Sequence, residues 1–423
     1  MRFAVLALLV CLRLAAQPPD YETLGAQAFH FGYPLLGMAA WRDGAWKAGA
    51  TPNQFAHHRE LLSAFASEAY PDMDTLASTA WVDLTAGPVA LRVPAAGSRY
   101  LTLQFIDAWT ETFAVLSGTE WQGKAVMLYL TPPGWSGAPP AGYRQVSCPT
   151  SLVAVWLRLF VAGDGDVPAV RALQDQFAFS SAPPPRPVPR GVLEALGELL
   201  ASNPPPPELR AVFARMTPLG LEFQTGFDPH VLDAATREAV DAAIDRASRD
   251  VPPLPPHEPR RAVNGWEIYD AGSAGPASHD ERIRRVREGA AAFAALPATE
   301  FVYAVGYADA NGNLLQGDRR YTIAFDAGAA PPVDAFWSLS VYTDRGRTVF
   351  GARNSVQSLA PSLSPGEDGT VRITLAPWLP LAEQSNWLPL EPGEGVRLIL
   401  RLYRPRQAVF DGSWNPPPIE PVP

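Results

Sequence analysis

The sequence predicts a mainly β protein of the α+β class, with two antiparallel β-sandwich or jelly-roll-like domains bridged by a helical insert. Three observations predict it. Apolar residues alternate with period two through residues 81–161 and again from Glu300 onward, the mark of half-buried antiparallel strands. Between these regions the apolar spacing changes to three and four, broken by proline-rich joints. The 45 prolines and 33 glycines fall between periodic segments, which favours many short elements joined by turns. At 423 residues the chain also exceeds one ordinary core.

Taken in order, residues 1–16 read as a cleaved export signal. Arg2 precedes an apolar run over 3–12, and Ala15-Ala16 supply small residues before Gln17. The run is too short to span a bilayer comfortably, so no membrane association is expected once it is removed. Cys11 raises a lipoprotein alternative, but Val10 stands where a small residue is expected. The expected location is therefore the periplasm or the medium. Cys148 remains as the single cysteine, so no internal disulfide forms.

An N-terminal β domain is assigned to 20–180. It opens on a helix over 20–41, capped by Asp20, with Leu24, Gln27, Ala28 and Phe31 on one face. Tyr33-Pro34 is expected to bend or end its first part, and the helix to pack on the outside of the β domain. Strands alternate through Val89, Leu91 and Val93, then Leu101, Leu103 and Phe105, then Val126, Leu128 and Leu130. A buried strand comes next over 152–161, and Asp166 is expected to cap a short helix with Pro168 in its first turn. The insert or bridge is assigned to 181–298, with helices at 191–202, 206–216, 230–249 and 279–296. In the last, Arg282, Arg284, Arg285 and Arg287 are read as a solvated face. The C-terminal sandwich is assigned to 299–423, where Asn311-Gly312 signals a hairpin between two alternating runs.

A net charge of -9 argues against a nucleic-acid partner, because phosphate binding is driven by clustered positive charge. No Gly-x-x-x-x-Gly-Lys, Gly-x-Gly-x-x-Gly or Gly-x-Ser-x-Gly occurs, which removes the usual nucleotide and α/β-hydrolase readings. Asp309 to Asn313 imitates half a calcium loop, but Leu314 and Arg320 stand where Gly and Glu are needed.

Several segments resemble a tandem arrangement found in uncharacterised bacterial proteins. FGYPLLGM, NQFAHHREL, PDMDTLASTAWVDLTAGPVALRVP, RYLTLQFIDAWT and LQDQ resemble domain-of-unknown-function family 1254. YADANGNLLQGDRRYTIAF, PPVDAFWSLSVY, NWLPL and LRLYRP resemble family 1214. The resemblance implies a secreted or periplasmic protein of two mostly β domains, with no agreed activity. Asp72 and Ala77 depart from it, standing where the family generally has Asn and Tyr.

Candidate site residues concentrate between Thr51 and Glu111. On a helix, His57 and Glu60 would share a face and could ligate a divalent metal, although no cofactor is otherwise evident. Asp72, Asp74 and Asp83 read as loop residues that bond backbone N–H groups; alternatively Asp74 belongs to a carboxylate pair with one raised pKa. Asp107 continues the inward face of Leu101, Leu103 and Phe105, and a buried carboxylate needs a partner, with Arg99, Arg158 or a histidine as candidates. These residues predict an exported hydrolase or lyase acting on a small molecule or polymer. Its catalytic group would be His57, Asp74 and Asp107 in an N-terminal cleft, with Asn53, Trp109 and Glu111 binding ligand. The alternative is a non-catalytic ligand-binding or self-assembling β protein. Oligomeric state is not readable from the sequence.

Overall fold

The computed structural model describes residues 18–61, 70–180, 191–223, 225–251, 257–270, 272, 277–349, 354–360, 363–380 and 386–423. The export-signal segment lies outside the described residues.

Helix α1 (Tyr21–Lys47) begins where Asp20 accepts the Thr23 N–H, as its sequence predicts. It is followed by β1 (Ala56–His57), β2 (Thr75–Asp83), β3 (Val89–Val93), β4 (Leu101–Asp107), β5 (Thr112–Ser117), β6 (Val126–Thr131), β7 (Tyr143–Ser147) and β8 (Leu152–Phe160). A short α2 (Val167–Gln174) and β9 (Ala178–Phe179) complete the domain. One sheet has the order β1-β2-β8-β4-β5 and the other β7-β6-β3-β9. The alternation decides which side chains lie between them. Leu101, Leu103 and Phe105 meet Leu91, Leu128 and Leu130 in one apolar core. Asp166 does not bond the N-terminus of α2; its carboxylate pairs with Arg99 and accepts the Ala162 N–H.

The other face of the first sheet is covered by helices. It presents Trp81, Ile106, Leu152, Ala154 and Trp156 to α1 and to α3 (Val192–Ser202), α4 (Pro207–Ala214) and α5 (Ala234–Arg249). A two-stranded ribbon of β10 (Leu221–Glu222) and β11 (Gly226–Phe227) lies between α4 and α5 in the chain.

Helix α1 packs on the outer face of the first sheet, as expected, but it is not the outermost layer: α3 and α5 pack against it in turn, leaving it exposed around Trp41. Small residues permit these crossings. A Cβ at Gly25 would stand 2.8 Å from Val240, one at Gly32 2.4 Å from Leu196, and one at Gly37 2.2 Å from Val286. Nor does Tyr33-Pro34 end it. Pro34 has no N–H to give the His30 carbonyl one turn back; His279 Nε2 occupies that carbonyl instead, at 3.1 Å.

The C-terminal sandwich begins well before residue 299. Strands β12 (Arg261–Val263) and β13 (Trp266–Asp270), inside the span assigned to the insert, pair into its larger sheet. Next come α6 (His279–Glu288) and α7 (Ala290–Phe293), which return to the N-terminal domain. The chain then forms β14 (Phe301–Gly306), β15 (Arg320–Phe325), β16 (Trp337–Thr343), β17 (Ser355–Gln357), β18 (Val371–Ala376), β19 (Trp387–Pro389), β20 (Val396–Tyr403), α8 (Gln407–Asp411) and β21 (Glu420–Val422). The sheet orders are β12-β13-β14-β20-β16-β17 and β19-β18-β15-β21.

The Asn311-Gly312 expectation holds only locally. A bridge between Ala308 and Leu314 closes the turn, but β14 and β15 enter different sheets rather than pairing. Period-two alternation identifies a strand without naming its neighbour. The arginine expectation also changes. Arg282 and Arg285 are buried, because their heads enter a polar knot beneath α6. No helix among the described residues is long and apolar enough to cross a membrane.

Candidate functional site

The first sheet's outer face carries two different environments along its strands. Toward the α1 end lies a cavity of about 760 Å³. Its walls are Phe29, Tyr33, Trp41 and Phe293 from the helices, with Trp81, Trp156, Ala154 and Thr79 from β2 and β8. Gly37, Ala40, Gly44, Ala45 and Ala48 line it on the helical side, so the room arises where α1 has little side chain to offer. His58 stands at its edge as an exposed residue. Aromatic walls with few polar groups suit an apolar small molecule.

Farther along β8 on the same face comes Arg158. Its Nη1 donates to Gln104 Oε1 at 2.9 Å and its Nη2 to the Ala294 carbonyl at 2.7 Å. The guanidinium lies 5.6 Å from the centre of the Trp156 ring. Beyond it the face meets the C-terminal domain. Tyr100 and Phe160 pack on Phe336 and Tyr403, and Met73 packs on Tyr342 and Ile399.

Asp74 sits at this seam and is fully buried. Its Oδ2 accepts the Ser338 hydroxyl and the Tyr403 hydroxyl (3.3 Å), while Oδ1 accepts Ser355 (3.1 Å) and Gln357 Nε2 (2.9 Å). Burial pushes its pKa up, as does the Asp72 carboxylate, whereas Arg401 and the donors pull it down. Asp72 itself closes the local turn, accepting from the Asp74 N–H and the Thr75 hydroxyl. Arg401 donates to the Tyr70 and Pro71 carbonyls from the same seam. The sequence's Asp74 is thus a latch between domains.

The three predicted catalytic residues are not brought together. Asp74 immediately precedes β2, whereas Asp107 ends β4 opposite Val153, beside the far end of β2. Nine residues of extended strand separate these levels, roughly 25–30 Å. His57 faces elsewhere again, with Nδ1 at 2.8 Å from the buried Ser78 hydroxyl. Gln174 Nε2 donates to that hydroxyl, leaving its proton for His57 Nδ1. Burial lowers the His57 pKa to about 4, with nearby Arg59 acting in the same direction. This is a neutral, anchored imidazole.

The metal pair is corrected at its premise. His57 lies in a strand, not a helix, so spacing of three does not bring Glu60 onto its face. Glu60 is exposed and meets Arg171 at 3.5 Å. Among the described residues, no three His, Cys, Asp or Glu side chains are grouped to hold a metal ion.

The expected ligand-binding residues each make bonds within the fold. Asn53, at φ +54°, accepts the Asp83 N–H at 2.8 Å and so pins the α1–β1 connection to the end of β2. Trp109 is buried against Phe213, and its indole N–H donates to the Pro204 carbonyl at 3.0 Å. Glu111 receives Arg282 Nε (2.8 Å), Arg285 Nη1 (3.2 Å) and the Ala277 N–H (2.9 Å).

Asp107 does point inward, as its parity predicts, but its partners are not arginine or histidine. Oδ1 accepts the N–H groups of Trp109 (2.8 Å) and Glu111 (2.9 Å), shaping the β4–β5 turn. Burial pushes its pKa up to about 7, against those two bonds. The folded value thus exceeds the unfolded one. Its contribution to stability is full at low pH and is lost as pH rises from about 4 to about 7. Asp107→Asn keeps the Oδ1 acceptor and removes that loss. The variant should gain on the parent by on the order of 2–4 kcal/mol between pH 4 and pH 8. Denaturation midpoints of the pair across that range check it; a constant difference contradicts it.

Two packed β-sandwiches with a helix-covered cavity on one outer face define the class of protein. The family models agree with that division. Residues 52–181 match DUF1254 and residues 300–407 match DUF1214, each described as a protein of unknown function. The chain belongs to the tandem DUF1254–DUF1214 proteins. No curated protein matches it. Among solved structures it resembles the VPA0106 protein of Vibrio parahaemolyticus, at 20% identity and TM-score 0.69, over 95% of this chain and 100% of that one. An uncharacterized protein from Burkholderia cenocepacia is 15% identical with TM-score 0.46, over 95% and 92% of the two chains. The first likeness shows the fold alone. Helix α1, which supplies one cavity wall, precedes the matched residues.

Proposed function

We propose that the N-terminal domain binds an apolar small molecule between α1 and the outer face of its first sheet, without covalent chemistry. The observation that carries this reading is the cavity of about 760 Å³, walled by Trp81, Trp156, Phe29 and Phe293. That volume falls in the range of small-molecule sites. The binding reading is preferred over hydrolase or lyase because His57, Asp74 and Asp107 are held apart and each is committed to a structural bond. The signal-like start of the sequence supports placing this binding in the periplasm or outside the cell.

Trp41, Trp81 and Trp156 line the cavity, so their emission reports its occupancy. Titration with 1-decanol is expected to change that emission saturably. Ala154→Leu places a larger side chain into the space and is expected to weaken binding at least about tenfold, by the removal of contact area. Equal affinity in the parent and the variant would overturn the assignment of the site.

A further inference from the structure

The cavity reading leaves the polar end of the same sheet face unexplained, and the inference drawn from it rests on that reading. Arg158 is half-buried, yet among the described residues no carboxylate lies within 4 Å of it; its bonds go to an amide oxygen and a backbone carbonyl. Asp72 is near enough for its charge to act on Arg158, but both of its oxygens are occupied in its own turn. Thr102 is the cross-strand neighbour of Arg158, and Tyr100 precedes it by two residues. The hydroxyls of both are buried and have no partner among the described residues beyond each other. Such a pair leaves at least one hydroxyl proton without an acceptor, which is uncommon for buried groups.

One guanidinium without a carboxylate and a pair of buried hydroxyls therefore share one face. Arg158 and Thr102 lie one step along β8 from Trp156 in the cavity wall, about 6.6 Å by strand rise, and Tyr100 a step farther, opposite Phe160. The partner of Arg158 on β2 is the small residue Ala77. The other charged groups described at this seam are Asp72, Arg401, Asp74 in its cage of donors, and Glu300, which acts on Tyr100 and meets Arg404 at 3.9 Å.

We propose that the bound molecule is an apolar carboxylic acid. Its hydrocarbon part lies between α1 and the sheet, and its carboxylate is received by Arg158, with Tyr100 and Thr102 as additional donors. A guanidinium is the side chain best matched to a carboxylate, through two parallel N–H bonds.

The test compares decanoate with 1-decanol by calorimetric titration at pH 8, on the full chain. The unsubstituted protein is expected to bind decanoate about tenfold or more tightly than decanol, the range of a charge-assisted hydrogen bond. Arg158→Met is expected to remove that preference, and Tyr100→Phe to reduce it. Equal binding of the two probes by the unsubstituted protein overturns the acid assignment whatever the variants do. If decanol still binds and Ala154→Leu weakens it, the cavity reading stands without the acid. Failure of both probes to bind overturns both. A preference that survives intact in a folded Arg158→Met variant places the carboxylate elsewhere and also overturns the proposal.

Discussion

Asp74→Ala is expected to destabilise the protein by about 4 kcal/mol and to loosen the contact between its two domains. The substitution leaves the Ser338, Ser355 and Tyr403 hydroxyls and the Gln357 amide around an empty acceptor position. Each buried donor left unpaired costs about 1–3 kcal/mol, and part of this is recovered by rearrangement. Arg401 also loses the stronger of the two carboxylates that balance its charge at the seam. Asp74→Asn retains one acceptor oxygen and is expected to lose about half as much. Urea denaturation gives the first quantity, and small-angle scattering shows whether the domains separate. A loss below about 1 kcal/mol for the alanine variant contradicts the latch.

Glu111→Ala is the second large effect, at about 3 kcal/mol. Glu111 holds Arg282 and Arg285, both deep under α6, to the β4–β5 turn. Breaking a buried ion pair from one side leaves the other charge in a poorly solvated place. Glu208 remains beside Arg282 and the Thr110 carbonyl beside Arg285, which limits the damage. Since α6 also carries His279, which bonds the His30 carbonyl freed by Pro34, loss of this anchor should reach α1 and the cavity. The variant is therefore expected to lose decanol affinity along with stability. Unchanged stability would show that the ion pairs carry no net weight.

The period of the apolar residues made much of the fold legible. Leu101, Leu103 and Phe105 alternate because one face of β4 meets the second sheet, so strand, face and the inward aim of Asp107 were all readable. Its partners were not, because they are backbone N–H groups two and four residues on, which no residue type announces. Asn311-Gly312 marked a turn, yet the turn says nothing about which sheet receives β15. Arg282 and Arg285 looked solvated because arginine is usually exposed; only the fold brings Glu111 and Glu208 beneath them. The helix assumed for His57 and Glu60 failed because the chain there is extended and pairs with β2. The cavity left no sequence signal at all. It is made by Ala40, Gly44, Ala45, Ala48 and Ala154, whose small size is ordinary in any helix or buried strand. By charge alone Arg158 suits Asp107 as a partner, yet it lies on the opposite face of the sheet, which the even numbering of its neighbours Thr102 and Gln104 indicates.

The most direct test of the binding account is a crystal structure of the protein soaked with 10-bromodecanol, with the bromine located by its anomalous signal. The account predicts the chain between α1 and the sheet, in contact with Trp81 and Trp156. A bromine site elsewhere on the molecule, with those two rings left uncovered, would contradict it.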